Sequence, residues 1–276
     1  MSESESVDEL LADAQDALFE NDVERAVAVA EQVLRVAPRE NDAHEVIVMA
    51  HAARGAVQLQ HAAVLRWCQS CAAKRGGLPV KVRKHALESA FLVGDRAALS
   101  ELVRELIAVH STSGSDARWT NTLCCTAALM CADVGEVELA EQLQARLTSE
   151  SEEDALLQRL VIARLTGVTD QGTARNVLRQ IAQEARDVRE LQYVAAWAES
   201  LRLLLGAAAD ADDVAFADEL LASNISGSLS LQVAVALAKS DSAQLEALRT
   251  RHRAQASFGN VLPILRRRLF DLEKKK

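Results

Sequence analysis

The sequence predicts an all-α fold: a right-handed α-solenoid of about seven helix hairpins, closed by a C-terminal capping helix. Three observations carry this expectation. Turn-forming residues recur at Asn21-Asp22, Gly55, Gly94-Asp95, Gly135, Gly167 (with Gly172), Gly206 and Ser240-Asp241, in steps of 34, 39, 41, 32, 39 and 34 residues. Each follows one apolar helical run and precedes another, the period of stacked helix pairs. The apolar mass is Ala, Leu and Val, with only 3% aromatics and three prolines, a composition that favours closely packed helices. Alternating runs of β-branched and aromatic residues, the mark of strands, are nearly absent.

The elements follow in order. A first helix runs from about Ser6 to Glu20 and breaks at Asn21-Asp22. The next carries Val23, Ala26, Val27, Ala30, Val33 and Leu34 on one helical face, and Pro38 ends the unit because proline cannot continue a helix. The second unit, about 42–74, turns at Gly55 into an apolar helix from Val57 to Cys71. The third has a helix over roughly 80–93, a turn at Gly94-Asp95, and a stripe of Leu99, Leu102, Val103, Leu106 and Ile107. The fourth runs from Asp116 to about Thr148, turns at Val134-Gly135-Glu136, and shows Leu139, Ala140, Leu143 and Leu147. The fifth, about 152–185, has a longer connector from Gly167 to Gly172. In the sixth, Gly206 through Asp213 forms a long turn before Phe216, Ala217, Leu220 and Leu221. The seventh, about 228–253, turns at Ser240-Asp241. Links between units are short and polar, several ending in N-cap residues such as Asp116, Ser151 and Ser228. A last helix, about 260–273, begins near Pro263 and would cap the terminal apolar face. One domain over 1–276 is expected, with an acidic frayed N-terminus at 1–6 and a basic capping helix and tail at 258–276.

Phe19-Glu20-Asn21-Asp22-Val23-Glu24-Arg25-Ala26, followed by Ala30, Val33 and Pro38, resembles a tetratricopeptide repeat. Gly135-Glu136-Val137-Glu138-Leu139-Ala140 fits the same frame, Gly94-Asp95 fits its turn, and Trp119 stands near the start of a first helix, where that family places aromatics. The resemblance implies a scaffold without catalytic machinery, one that binds peptides or helices and organises multiprotein complexes.

Net charge is −9, which argues against generic nucleic-acid binding. Its distribution is uneven. Residues 1–24 hold nine acids and no Lys or Arg, whereas residues 246–276 hold nine bases against three acids. Such opposite ends favour head-to-tail self-association as one expectation. The N-terminus lacks a basic signal-peptide region, and no apolar run reaches the roughly 18 residues of a membrane span, so a soluble, cytoplasmic protein is expected. Cys68, Cys71, Cys124, Cys125 and Cys131 are an odd set, read as reduced and mostly buried thiols.

Candidate chemistry is sparse. Cys68-Gln69-Ser70-Cys71 lacks a second pair, and His61 stands seven residues before Cys68, about 10.5 Å of helix rise and too far to share an ion. His44 and His51 are seven apart, where a zinc-protease helix needs four. Gly76-Gly77 leads into Leu-Pro, not a phosphate loop, and no Gly-x-Ser-x-Gly elbow occurs. Asp210, Asp212 and Asp213 lack the glycine and closing glutamate of a calcium loop. No catalytic residue, metal or cofactor is expected. The residues expected to touch a partner are Trp67, Trp119, Tyr193 and Trp197, as interface aromatics, together with Arg249, Arg251, Arg253, Arg266, Arg267 and Arg268. The expected function is a protein–protein interaction scaffold or adaptor subunit of a larger intracellular complex. The alternatives are a peptide-sensing regulator or chaperone-like accessory to a partner enzyme, or a nucleic-acid-associated adaptor acting through the basic C-terminus.

Overall fold

The residues that punctuate the sequence are the ones that bend the backbone. Asn21, Gly55, Gly94, Gly135 and Ser240 have φ of 66°, 67°, 83°, 81° and 52°, the left-handed conformation that ends helices. Behind each lies the same closing bond, from the amide one residue on to the carbonyl five residues before it. Asp22 N–H donates to Ala17 O (2.8 Å), Ala56 to His51 (2.9 Å), Asp95 to Ala90 (2.9 Å), Glu136 to Cys131 (2.9 Å) and Asp241 to Ala236 (3.0 Å). That bond satisfies a carbonyl the helix end would otherwise leave unpaired. One turn chemistry, used five times, sets the repeating architecture.

The computed structural model describes residues 6–71, 78–110, 117–205, 211–254 and 261–273. Among them are fifteen α-helices, one short 3-10 turn (Arg189–Leu191) and no strand. In chain order the helices are α1 (Val7–Phe19), α2 (Val23–Val36), α3 (Asn41–Ala53), α4 (Val57–Cys71), α5 (Val80–Val93), α6 (Arg96–His110), α7 (Ala117–Asp133), α8 (Val137–Gln144), α9 (Glu152–Thr166), α10 (Gln171–Ala185), α11 (Gln192–Leu205), α12 (Ala211–Ala222), α13 (Ser228–Ala238), α14 (Ser242–Ala254) and α15 (Pro263–Glu273). Two compact units are present, residues 1–95 with 249–259, and residues 96–248 with 260–276.

In the first unit each helix from α1 to α5 packs on the next, and α1 also touches α3. The buried face of α2 is Val23, Ala26, Val29, Ala30 and Val33. Val27 and Leu34, expected on that stripe, are only half-buried, because Val29 turns the face toward its own side. In the second unit α7, α9, α11 and α13 form a row of touching helices, with α8 and α10 packed beside them. The α8 stripe is as expected: Leu139, Ala140, Leu143 and Leu147 are all buried.

Three local expectations are corrected. Gly172 lies inside α10, not in the connector, because the Asp170 carboxylate accepts from Thr173 N–H at 3.0 Å and starts the helix earlier. Ser228 is the first residue of α13, not its cap. Gly227 holds the N-cap at φ 81°, with no side-chain cap bond. Glycine is required there, since a Cβ would stand 3.1 Å from Ala196 Cβ and 3.4 Å from Tyr193 Cα. Ser6 is not frayed. It forms a reciprocal capping box with Glu9, which holds the Glu9 carboxyl below its usual range through the Ser6 backbone amide and hydroxyl. Asp116 and most of the Gly206–Asp213 turn lie outside the described residues.

Candidate functional site

Helix α11 is apolar on most of its circumference, burying Val194, Ala195, Ala196, Ala198, Leu201 and Leu203. Tyr193 and Trp197 occupy the half-buried remainder. Four residues apart, they share a face, and their rings meet edge-on, with centroids 5.3 Å apart and planes at 85°. The Tyr193 hydroxyl donates to Glu153 Oε1 of α9 at 2.5 Å, and Gly227 closes against the Tyr193 backbone. Two neighbouring helices therefore fix this aromatic pair.

The support beneath is polar and buried. Glu199 and Arg202 form an ion pair within α11, with bonds of 2.7 and 2.6 Å. Asn121 of α7 donates to Asp154 Oδ1 at 2.7 Å and to Thr148 Oγ1 at 2.9 Å, while Ser151 Oγ donates to Asp154 Oδ2 at 2.7 Å. Ser151 also caps α9 as the sequence suggests, accepting from Asp154 N–H. This network fixes the start of α9 and so the position of Glu153, one residue before Asp154.

Trp67 sits elsewhere, in the first unit, and has no exposed surface. Its indole N–H donates to Asn41 Oδ1 at 3.1 Å, and its ring stacks on His44 (6.3 Å, planes at 10°) and meets His85 at a tilt (5.8 Å, 35°). Burial holds His44 below the ordinary histidine range, although its Nε2 donates to the Pro38 carbonyl at 3.1 Å. Burial lowers His51 likewise. Beside them Glu45 is half-buried, which works against its charge, yet hydrogen bonds from His85 and Lys81 hold its carboxyl below the usual range.

The arginines divide by direction. Arg249 and Arg266 are buried, Arg267 is half-buried, and Arg251 and Arg268 are exposed. Arg266, Arg267 and Arg268 face three ways, as steps of about 100° require. Arg268 donates to Asp133 Oδ1 of α7 at 3.1 Å, and Arg164 of α9 reaches the same oxygen at 3.6 Å. The side chains of Trp119 and Arg253 lie outside the described residues.

The thiols are free, and four of the five are buried. Burial pushes Cys124 and Cys131 up to about 12 and Cys125 higher still. Such thiols are poor nucleophiles and poor metal ligands. Among the described residues no three His, Cys, Asp or Glu side chains stand together as metal ligands would, and no helix is long and apolar enough to cross a membrane. A cleft of about 660 Å³ is bordered by Arg96, Ser100, Glu101, Arg104 and Glu136. It carries both signs of charge, and its Arg96 Nε already donates to Glu136 at 2.5 Å.

Sequence reasoning missed Glu153, Asp133 and the Glu199–Arg202 pair. Only the last left a sequence signal, a Glu three residues before an Arg in an otherwise apolar helix. No protein-family model matches the chain, and comparisons with curated proteins and with solved structures find no match either.

Proposed function

We propose that the chain is a tetratricopeptide-like, right-handed solenoid of about seven helix hairpins, working as a non-catalytic interaction scaffold or adaptor subunit in a larger assembly. It takes a partner's helix or extended segment on a face lined by one helix of each pair. The Tyr193–Trp197 pair is the observation that carries this reading. Half-exposed aromatic side chains are favoured interface anchors, and a pair already fixed by Glu153 and Gly227 loses little freedom when a partner arrives. The nucleic-acid alternative draws less support, since the net charge is −9 and two of the C-terminal arginines, Arg249 and Arg266, are buried.

The test compares the native chain with Trp197→Ala. Crosslinking and mass spectrometry identify partners from native extract, and titration then measures the affinity of the purified partner. An anchor of about 2 kcal/mol predicts roughly thirtyfold weaker binding. Unchanged affinity in a variant with unchanged melting would refute the assignment.

A further inference from the structure

A cavity of about 250 Å³ in the first unit is bordered by residues of α2, α3 and α4. At about 30 Å³ of liquid volume per water, it has room for roughly eight or nine heavy atoms. Leu34 and Pro38 give it apolar wall, and Glu31, Arg35, His44, Arg66 and Ser70 give it polar groups.

Those polar groups are unequally paired. Arg66 donates to Glu31 Oε1 at 2.7 Å, and the Ser70 hydroxyl donates to the Trp67 carbonyl at 2.7 Å. Arg35 stands four residues after Glu31, on the same face of α2. Because Glu31 turns to Arg66 instead, Arg35 is left without a hydrogen bond or ion pair among the described residues, and Glu31 Oε2 is left over too. His44 is 3% exposed. Its Nε2 donates to the Pro38 carbonyl at 3.1 Å, so Nδ1 of the neutral ring is a bare acceptor. That nitrogen is buried with no hydrogen-bond partner, a state that destabilises until a donor reaches it.

The unpaired groups are thus of both kinds: N–H donors at Arg35, acceptors at Glu31 and His44. A simple anion would satisfy the first and leave the second, and a simple cation would do the reverse. Arg35 and Glu31 are about 6 Å apart along the helix axis, close enough for one carbon atom to present a group to each. We propose that this cavity binds a free apolar α-amino acid of about leucine's size, with its carboxylate on Arg35, its ammonium on Glu31 and His44 Nδ1, and its side chain against Leu34 and Pro38. The inference rests on the first unit alone and does not require Tyr193 or Trp197 to meet a partner.

The test uses the whole chain. Calorimetric titration, with the ring signals of His44 followed by NMR, compares leucine with isocaproate, which lacks the amine, and with isoamylamine, which lacks the carboxylate. Leucine should bind with a Kd of about 1 mM or below and move the His44 signals. Each truncated probe should bind about tenfold or more weakly, the effect of losing a charge-assisted bond. Arg35 is exposed and holds no partner, so Arg35→Gln should melt as the native chain does. That variant should bind leucine about tenfold more weakly and isoamylamine as the native chain does. Absence of leucine binding up to about 10 mM would overturn the proposal. So would isocaproate binding as tightly as leucine, affinity indifferent to Arg35, or a leucine-ended tripeptide taken up where free leucine is refused.

Discussion

Two glycines with the same backbone and different surroundings provide a measurement of how tightly α13 is pressed against α11. Gly135 and Gly227 both have φ of 81°. A Cβ added at Gly135 would meet nothing within 4 Å, whereas at Gly227 it would stand 3.1 Å from Ala196 Cβ. Gly135→Ala therefore bears only the left-handed backbone cost, about 1–2 kcal/mol for a residue with a Cβ. Gly227→Ala bears that cost and a contact roughly half an ångström inside the usual carbon–carbon separation, which adds about 1–3 kcal/mol as overpacking does. The expected losses are about 1–2 kcal/mol at 135 and about 2–5 kcal/mol at 227. Urea midpoints at constant slope read the totals. Amide exchange over residues 192–205 and 228–238 should show that the second loss concentrates in α11 and α13. Equal losses at the two sites, or a larger one at 135, would refute the close approach and with it the clamp on Tyr193.

The other expectations can be checked with the same purified chain. Trp67→Ala should cost about 3–5 kcal/mol, as emptying a large buried site does, while Trp67→Phe should fold and bind any partner as the native chain does; weakened binding by the folded Phe variant would place Trp67 at an interface after all. Arg202→Met strands the buried Glu199 carboxylate and should cost about 3–5 kcal/mol, whereas Glu199→Leu with Arg202→Met should come close to neutral, both read by urea titration. His44 and His51 have folded pKa values depressed by burial, so the unfolded chain binds protons first as pH falls. Stability should be complete above pH 6.5 or so and decline as pH drops through the folded values; His44→Phe should flatten that slope, and a rise in urea midpoint from pH 7.5 to 5.5 would contradict the sign. Cys68 is half-buried and the other four cysteines are buried, so iodoacetamide should alkylate Cys68 alone in the native state, and rapid native labelling of Cys124, Cys125 or Cys131 would show those segments opening.

What the sequence made legible was local. Turn residues and the apolar stripes beside them act within a few positions, and the helix from Val57 to Cys71 and the one over 80–93 were readable to the residue. The misplacements are also local, but turn on single bonds. Asp170 begins α10 before Gly172 because one carboxylate reaches one amide, and Gly227 takes a cap position that a serine suggested for itself. The candidate site was half legible for a different reason. Tyr193 and Trp197 could be paired from spacing four, but their partner Glu153 lies 40 residues away, and no period reports on that. Trp67 illustrates the converse: it was named as an interface aromatic, yet it is fully buried, in ring contact with His44 and His85. The buried Arg249 and Arg266 escaped notice because a run of cations reads as solvated until the neighbouring helices are known.

The strut formed by α15 also constrains how this protein can change in size. Arrays of stacked hairpins ordinarily gain or lose a pair without penalty, because each member touches only its neighbours. Here an 11-residue rod, about 16 Å long at 1.5 Å per residue, is bolted to both α7 and α13. Duplicating or deleting a hairpin between them would pull one bolt out of reach. A hairpin duplicated between α7 and α13, on both of which α15 packs, is therefore expected to unseat one end of that helix, whereas one added outside the span is not.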